Sequence, residues 1–174
     1  MANQEPLFTT EETLAMDPLI LAYLAGFFDG EGNISVFRDR RPSGSFGFTL
    51  RCAISQTSMP ILEKYRHLFG GTIYQAKLTN PRPNSAPAWQ WYINNGRAVR
   101  FLEALQPYII LKAPQIPIAV RFFEQFHPLV RRGQRQPRIA TQIAEQARAE
   151  LMALHQGRKR DYTRKATRGG RRDG

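Results

Sequence analysis

Apolar and polar positions change their period along the chain, and the changes mark out its elements. LILAYLAGFFDG, after Asp17-Pro18, is apolar all round. Asp as N-cap and Pro at the first position start a helix, which stops near Gly30 and Gly32. Such a helix predicts burial on every side. Ala22 and Gly26 stand four apart with Ala25 beside them, a small-residue face that lets another backbone approach closely. Asn33–Phe37 switches to alternation, with Ile34 and Val36 opposite Ser35 and Phe37. RDRRPSGSFG reads as a turn. Phe48, Leu50, Cys52 and Ile54 then alternate with Thr49, Arg51, Ala53 and Ser55, a half-buried strand with the lone cysteine as core filler. Ser58-Met59-Pro60 opens a second helix with Ile61, Leu62, Tyr65, Leu68 and Phe69 inside, ended by Gly70-Gly71. Strands Thr72–Lys77 and Ala88–Asn94 flank the loop TNPRPNSAP. A third helix runs from Arg97 to about Pro107. Pro114 and Pro117 start a fourth, carrying Val120, Phe123 and Phe126, and Ile139, Ile143, Ala147, Leu151 and Leu154 mark a fifth.

The order α-β-β-α-β-β-α, with additional helices after it, predicts an α+β domain whose antiparallel sheet is covered by helices on one face. The open face should carry Ser35, Phe37, Asp39, Arg41, Thr49, Arg51, Ala53, Thr72, Tyr74, Gln90, Tyr92 and Asn94. This polar, aromatic and partly basic set fits an ordinary solvated face. It equally fits a β-ribbon in a DNA major groove, where Arg, Gln and Asn can pair with base edges.

Charge adds a partner to this picture. The 174 residues hold 25 Lys plus Arg against 14 Asp plus Glu, a net +11. An excess of this size calls for an anionic partner, most commonly nucleic acid. One cysteine excludes a disulfide scaffold and the common structural zinc sites. No apolar run approaches the roughly 20 residues of a membrane span. The polar, acidic start MANQEPLFTTEE fits neither a signal nor a transit peptide. An intracellular soluble protein is expected, with one domain over residues 1–156 and a flexible basic tail over 157–174. The tail carries eight Lys or Arg against two Asp; it reads either as a solvated appendage or as added phosphate attraction. Arg131–Arg138 is a second basic stretch, in a surface loop.

The segment Leu24-Ala25-Gly26-Phe27-Phe28-Asp29-Gly30-Glu31-Gly32 carries the candidate chemistry. A helix C-terminus disfavours an acid. Glu31 is therefore either a solvated acid or one half of a divalent-metal site, to which the Gly30 carbonyl could add an oxygen. Mg2+ suits one or two carboxylates completed by water and substrate phosphates. A dinucleotide-binding loop does not fit, because no strand precedes the glycines.

LAGFFDGEG on a buried helix followed by a β-hairpin resembles the signature of the LAGLIDADG homing endonucleases, with Glu31 where the family name has Asp. The resemblance implies the α-β-β-α-β-β-α core with an antiparallel β saddle. It implies a site-specific, metal-dependent DNA endonuclease cutting at a long near-palindromic site, encoded within an intron. Glu31 would bind the catalytic metal with the Gly30 carbonyl, using Mg2+, or Mn2+ or Ca2+ at the same sites. Gln56, ending ISQ, would position solvent near the attacking water. Lys112, ending QPYIILK, would contact the solvent network at the scissile phosphate. A single motif implies a homodimer packed through Ala22, Ala25 and Gly26 on double-stranded DNA, with no membrane association. The family also contains RNA-binding maturases, so host intron RNA is the alternative partner. Such proteins occur in organelles (chloroplast or mitochondrion) and in prokaryotic cytoplasm.

Overall fold

The computed structural model describes residues 17–40, 46–76, 87–130 and 136–168, with side chains up to His155 in the last stretch. Helix α1 (Pro18–Glu31) begins as expected, its Asp17 Oδ1 accepting the Leu19 N–H at 2.8 Å. The hairpin β1 (Gly32–Arg40) and β2 (Phe46–Gln56) follows, then α2 (Met59–Phe69). Strands β3 (Thr72–Gln75) and β4 (Trp89–Asn94) lead into α3 (Asn95–Leu105). Short 3-10 turns at Gln106–Tyr108, Ala113–Gln115 and His127–Leu129 bracket α4 (Ile116–Phe126), and α5 (Arg138–Arg168) ends the described chain. The strands form one sheet in the order β1-β2-β4-β3, every pair antiparallel. This is the α+β architecture predicted from the pattern.

Alternation puts Ile34, Val36, Leu50, Cys52, Ile54, Trp91 and Ile93 on the covered face, where all are buried. An aromatic cluster fills the space between sheet and helices. The Phe101 ring meets Phe28 and Phe69 edge-on at 4.9 Å, with Trp91 at 5.2 Å, geometries that the ring quadrupoles favour. The Tyr65 hydroxyl donates to the Leu24 carbonyl at 2.5 Å, joining α2 to α1. Trp91 Nε1 donates to the Gly70 carbonyl at 2.9 Å. The Gly70-Gly71 turn takes positive φ at both residues, and a Cβ on Gly71 would lie 2.6 Å from the Tyr92 carbonyl oxygen. Cys52 is fully buried and burial pushes its thiol pKa up, so it is core filler rather than a nucleophile.

Three expectations need correction. Helix α1 is not buried all round: Leu19 is 78% and Tyr23 60% exposed. Helix α3 starts at Asn95, because asparagine tolerates the φ of 52° there. Of the stripe expected on α5, Ala147 and Leu151 are buried and Ile143 packs against the core, but Ile139 is exposed and Ala140 and Ala144 complete the inner face. The backbone of α5 is helical through Arg168. Among the described residues no helix is long and apolar enough to cross a membrane.

Candidate nucleic-acid interface and metal site

Strand register arranges the open face in rows. Ser35 pairs with Arg51 and Arg51 with Asn94; Phe37 pairs with Thr49; Tyr92 lies between Ala53 and Thr72; Tyr74 pairs with Gln90. Asp39 continues the β1 row, and Arg41 lies outside the described residues. Apart from Arg41, the predicted residues therefore share one face. Arg51 is held at its centre. Its guanidinium carbon sits 4.5 Å from both the Phe37 and the Tyr92 ring centroids, and Nε donates to Asn94 Oδ1 at 3.1 Å. Sandwiching an Arg between rings fixes its direction at little entropic cost. Gln90 is fixed too: Nε2 donates to Ser55 Oγ at 2.8 Å, and Oε1 accepts from the Tyr74 hydroxyl. Ala53 needs correction. It is on this face but buried by its neighbours, too short to reach past them. Ser55 and Asn33, both exposed on the same rows, were missed; extending the strict alternation by one step at each strand end finds them.

The last turn of α1 faces two ways. On its inner side Asp29 is buried, and its carboxylate caps the loop after α3. Oδ2 accepts the N–H groups of Ile110 (2.7 Å) and Leu111 (2.8 Å), and Oδ1 that of Lys112 (2.9 Å). Burial pushes the Asp29 pKa up, but the amides of Leu111, Ile110 and Lys112 and the Lys112 charge outweigh it, leaving the pKa below its usual value. Lys112 is only 3% exposed, and its Nζ donates to the Asp29 carbonyl. It is thus attached to the motif turn itself, two residues from Glu31. Asp29 was missed by sequence reasoning, because nothing in the sequence links it to residues 110–112.

On the outer side Gly30 and Glu31 are exposed. Of the last-turn carbonyls, Phe28 accepts the Gly32 N–H and Asp29 accepts Lys112 Nζ. Gly32 pairs with Ile54, so the end of β2 that carries Gln56 lies beside this turn. Gln56 Oε1 accepts the Thr57 N–H at 2.8 Å. Along the outer side, Leu19, Tyr23, Gly26 and Gly30 make one exposed stripe, with Ala22 half-buried beside it. A Cβ on Gly26 or Gly30 would meet nothing within 4 Å, whereas one on Gly32 would lie 2.2 Å from the Phe28 ring and 2.5 Å from its carbonyl. Ala25, expected at a dimer face, is instead fully buried in the chain's own core and has no surface to offer.

Glu31 and the Gly30 carbonyl are hard oxygen donors on an accessible edge. That donor set fits Mg2+ or Ca2+ completed by water and phosphate oxygens. Among the described residues no three acidic, His or Cys side chains converge on a metal site.

A family model described as LAGLIDADG endonuclease matches residues 24–111, half of the chain. The chain belongs to the LAGLIDADG endonuclease family. Lys112 stands one residue beyond the match. The homing endonuclease I-CvuI, solved on the I-CreI target with Mg, aligns over 78% of this chain and 82% of its own, with a TM-score of 0.62 and 20% identity. An archaeal intron-encoded homing endonuclease, I-Vdi141I, solved with DNA, aligns over 78% and 84% with a TM-score of 0.61 and 18% identity. The homing endonuclease I-TnaI aligns over 79% and 96%, with a TM-score of 0.52 and 19% identity. At these identities the likeness is one of fold. No curated protein matches the sequence.

Proposed function

We propose that this member of the LAGLIDADG endonuclease family is a homodimeric, Mg2+-dependent enzyme that cuts both strands of duplex DNA at a specific, near-palindromic site. The observation that carries the reading is the outer stripe of α1. Large apolar side chains and two open glycines lead along it to an exposed carboxylate at its end. One chain supplies one Glu31, and two copies packed through Leu19, Ala22, Tyr23 and Gly26 bring two such acids to a two-fold axis. Two acids suit two scissile phosphates, and a symmetric dimer suits a palindrome.

In this reading Glu31 and the Gly30 carbonyl hold the metal. Bound there, Mg2+ would polarise the phosphate and make water more acidic. Gln56 orients water beside the turn. Lys112, attached to the Asp29 carbonyl, places a fixed positive charge under the same turn. Arg51, Gln90 and Asn94 read base edges, and Phe37, Tyr74 and Tyr92 hold them in place. The family resemblance supports an organelle or a prokaryotic cytoplasm as the setting, with an intron as the coding context.

Incubation with the uninterrupted allele of the host gene and Mg2+ tests the proposal. A double-strand cut at the insertion site, abolished by a chelator, is expected. An intact duplex under those conditions would count against it.

A further inference from the structure

Two side chains on the open face are held by their neighbours, and the hydrogen-bonding groups they still offer differ. Gln90 is held from both ends of its amide: Oε1 accepts from the Tyr74 hydroxyl, and Nε2 donates to Ser55 Oγ at 2.8 Å. The Tyr92 ring steadies Tyr74 in turn, with centroids 5.7 Å apart. A side-chain amide has two N–H donors and two acceptor lone pairs. One of each is taken, so one N–H and one lone pair remain. Turning the amide over exchanges the roles of Tyr74 and Ser55 and leaves the same remainder, because both hydroxyls can donate or accept.

Arg51 offers donors only. The Phe37 ring from β1 and the Tyr92 ring from β4 lie to either side of it, each centroid 4.5 Å from Cζ. Its remaining hydrogen bonds must therefore lie in the guanidinium plane. Asn94 Oδ1 takes Nε at 3.1 Å. Among the described residues no carboxylate pairs with Arg51, which leaves the fork of Nη1 and Nη2 for a partner outside the chain. Strand register sets the separation of the two groups. Ser55 pairs with Gln90 and Arg51 with Asn94, four residues apart on both strands, or about 13 Å. Gly32, which follows Glu31, pairs with Ile54, so Gln90 lies at the end next to the motif turn and Arg51 farther out.

We propose that Gln90 selects adenine and Arg51 selects guanine, about four base pairs apart in each half-site, with the adenine nearer the cut. The inference rests on the DNA reading proposed above and names the bases that it leaves open. In the major groove only adenine presents an acceptor, N7, beside a donor, N6, and this pair matches the N–H and lone pair left on Gln90. Guanine presents two acceptors, N7 and O6, which match a fork of donors and oppose the Gln90 carbonyl. Thymine and cytosine each offer one hydrogen-bonding group there, so neither fills both positions. For a ribbon lying along the groove, about 13 Å covers about four steps of 3.4 Å. Ser55 and Tyr74 are positioning residues in this scheme, since they act through the Gln90 amide.

The test is selection by the full chain from a library of randomised duplexes, with a chelator present to prevent cutting, followed by sequencing of the bound pool. The pool should carry adenine and guanine at the stated spacing in each half-site, each preferred over other bases by about 5- to 150-fold. Gln90→Leu should erase the adenine preference alone. Arg51→Lys, which keeps the charge and loses the fork, should erase the guanine preference alone. The preference each variant retains at the other position shows that it is folded. Tyr74→Phe, which keeps the ring and loses the hydroxyl, should weaken the adenine preference and leave guanine untouched. Other bases at the positions these variants affect would overturn the assignment and leave the DNA reading standing. So would a bound pool without preference there, or variants that lower affinity evenly across all sequences. A parent chain that retains no duplex would bring down the DNA reading, and the assignment with it.

Discussion

Asp29 and Glu31 stand two residues apart on one helical turn and have opposite surroundings. Asp29 is buried, with three backbone amides and the Lys112 ammonium around it. Glu31 is exposed on the outer side of the same turn. The difference shows how one short motif does two jobs. Its inner carboxylate fixes the turn to the loop before α4, and its outer carboxylate is then presented on a rigid edge. The glycines divide in the same way. Gly32 is required by its own chain, since any side chain would strike Phe28, while Gly26 and Gly30 face open space.

Replacing the outer acid should affect chemistry alone. Glu31→Gln should raise the cleavage barrier by about 3–4 kcal/mol, slowing it roughly 150- to 900-fold, with unchanged DNA binding and thermal midpoint. A mutant that cuts normally would remove Glu31 from the metal site. Replacing the inner acid should do the reverse and weaken the fold. Asp29→Asn should cost about 2–4 kcal/mol in urea unfolding, because amides that faced a charge lose it. Its pH signature follows from the lowered pKa. The stabilisation is full above the ordinary carboxylate value, near pH 4, and is lost as pH falls through the lower folded value. The parent should therefore lose stability on acidification in a window where Asp29→Asn loses less. Parallel stability–pH curves for the two proteins would show that the carboxylate is not what the amides hold.

The glycines sharpen the comparison further. Gly32→Ala should destabilise the single chain by about 2–4 kcal/mol. Gly26→Ala should leave the fold intact, gaining up to about 1 kcal/mol of helix propensity, while weakening self-association in sedimentation. Equal effects at both positions would erase the distinction between inner and outer sides. On the sheet, Arg51→Ala should cost about 1–3 kcal/mol of discrimination at one base pair, read from binding to single-substituted targets.

The alternation in β2 and β4 made the saddle legible, because a two-residue period sorts side chains onto faces before any contact is known. Arg51, Gln90 and Tyr92 were placed that way. The nine-residue motif marked Glu31 and Gly30 as the candidate metal ligands. The contacts of Asp29 with residues 110–112 were not, since they join positions more than 80 residues apart. Ala25 was misplaced because small residues look alike on both sides of a helix, and only the packed core shows that this one points inward. Ala140 and Ala144 of α5 were hidden for the same reason: burial followed the size of the gap, not the size of the side chain.

The central claim is that each chain supplies one Glu31 and that two chains make the paired centre. A mixed dimer of parent and Glu31→Gln, separated by differently tagged subunits, tests it most directly on a cleavable duplex with Mg2+. Cutting of one strand only is the expected product. Double-strand cutting by the mixed dimer, at the rate of the parent, would contradict it.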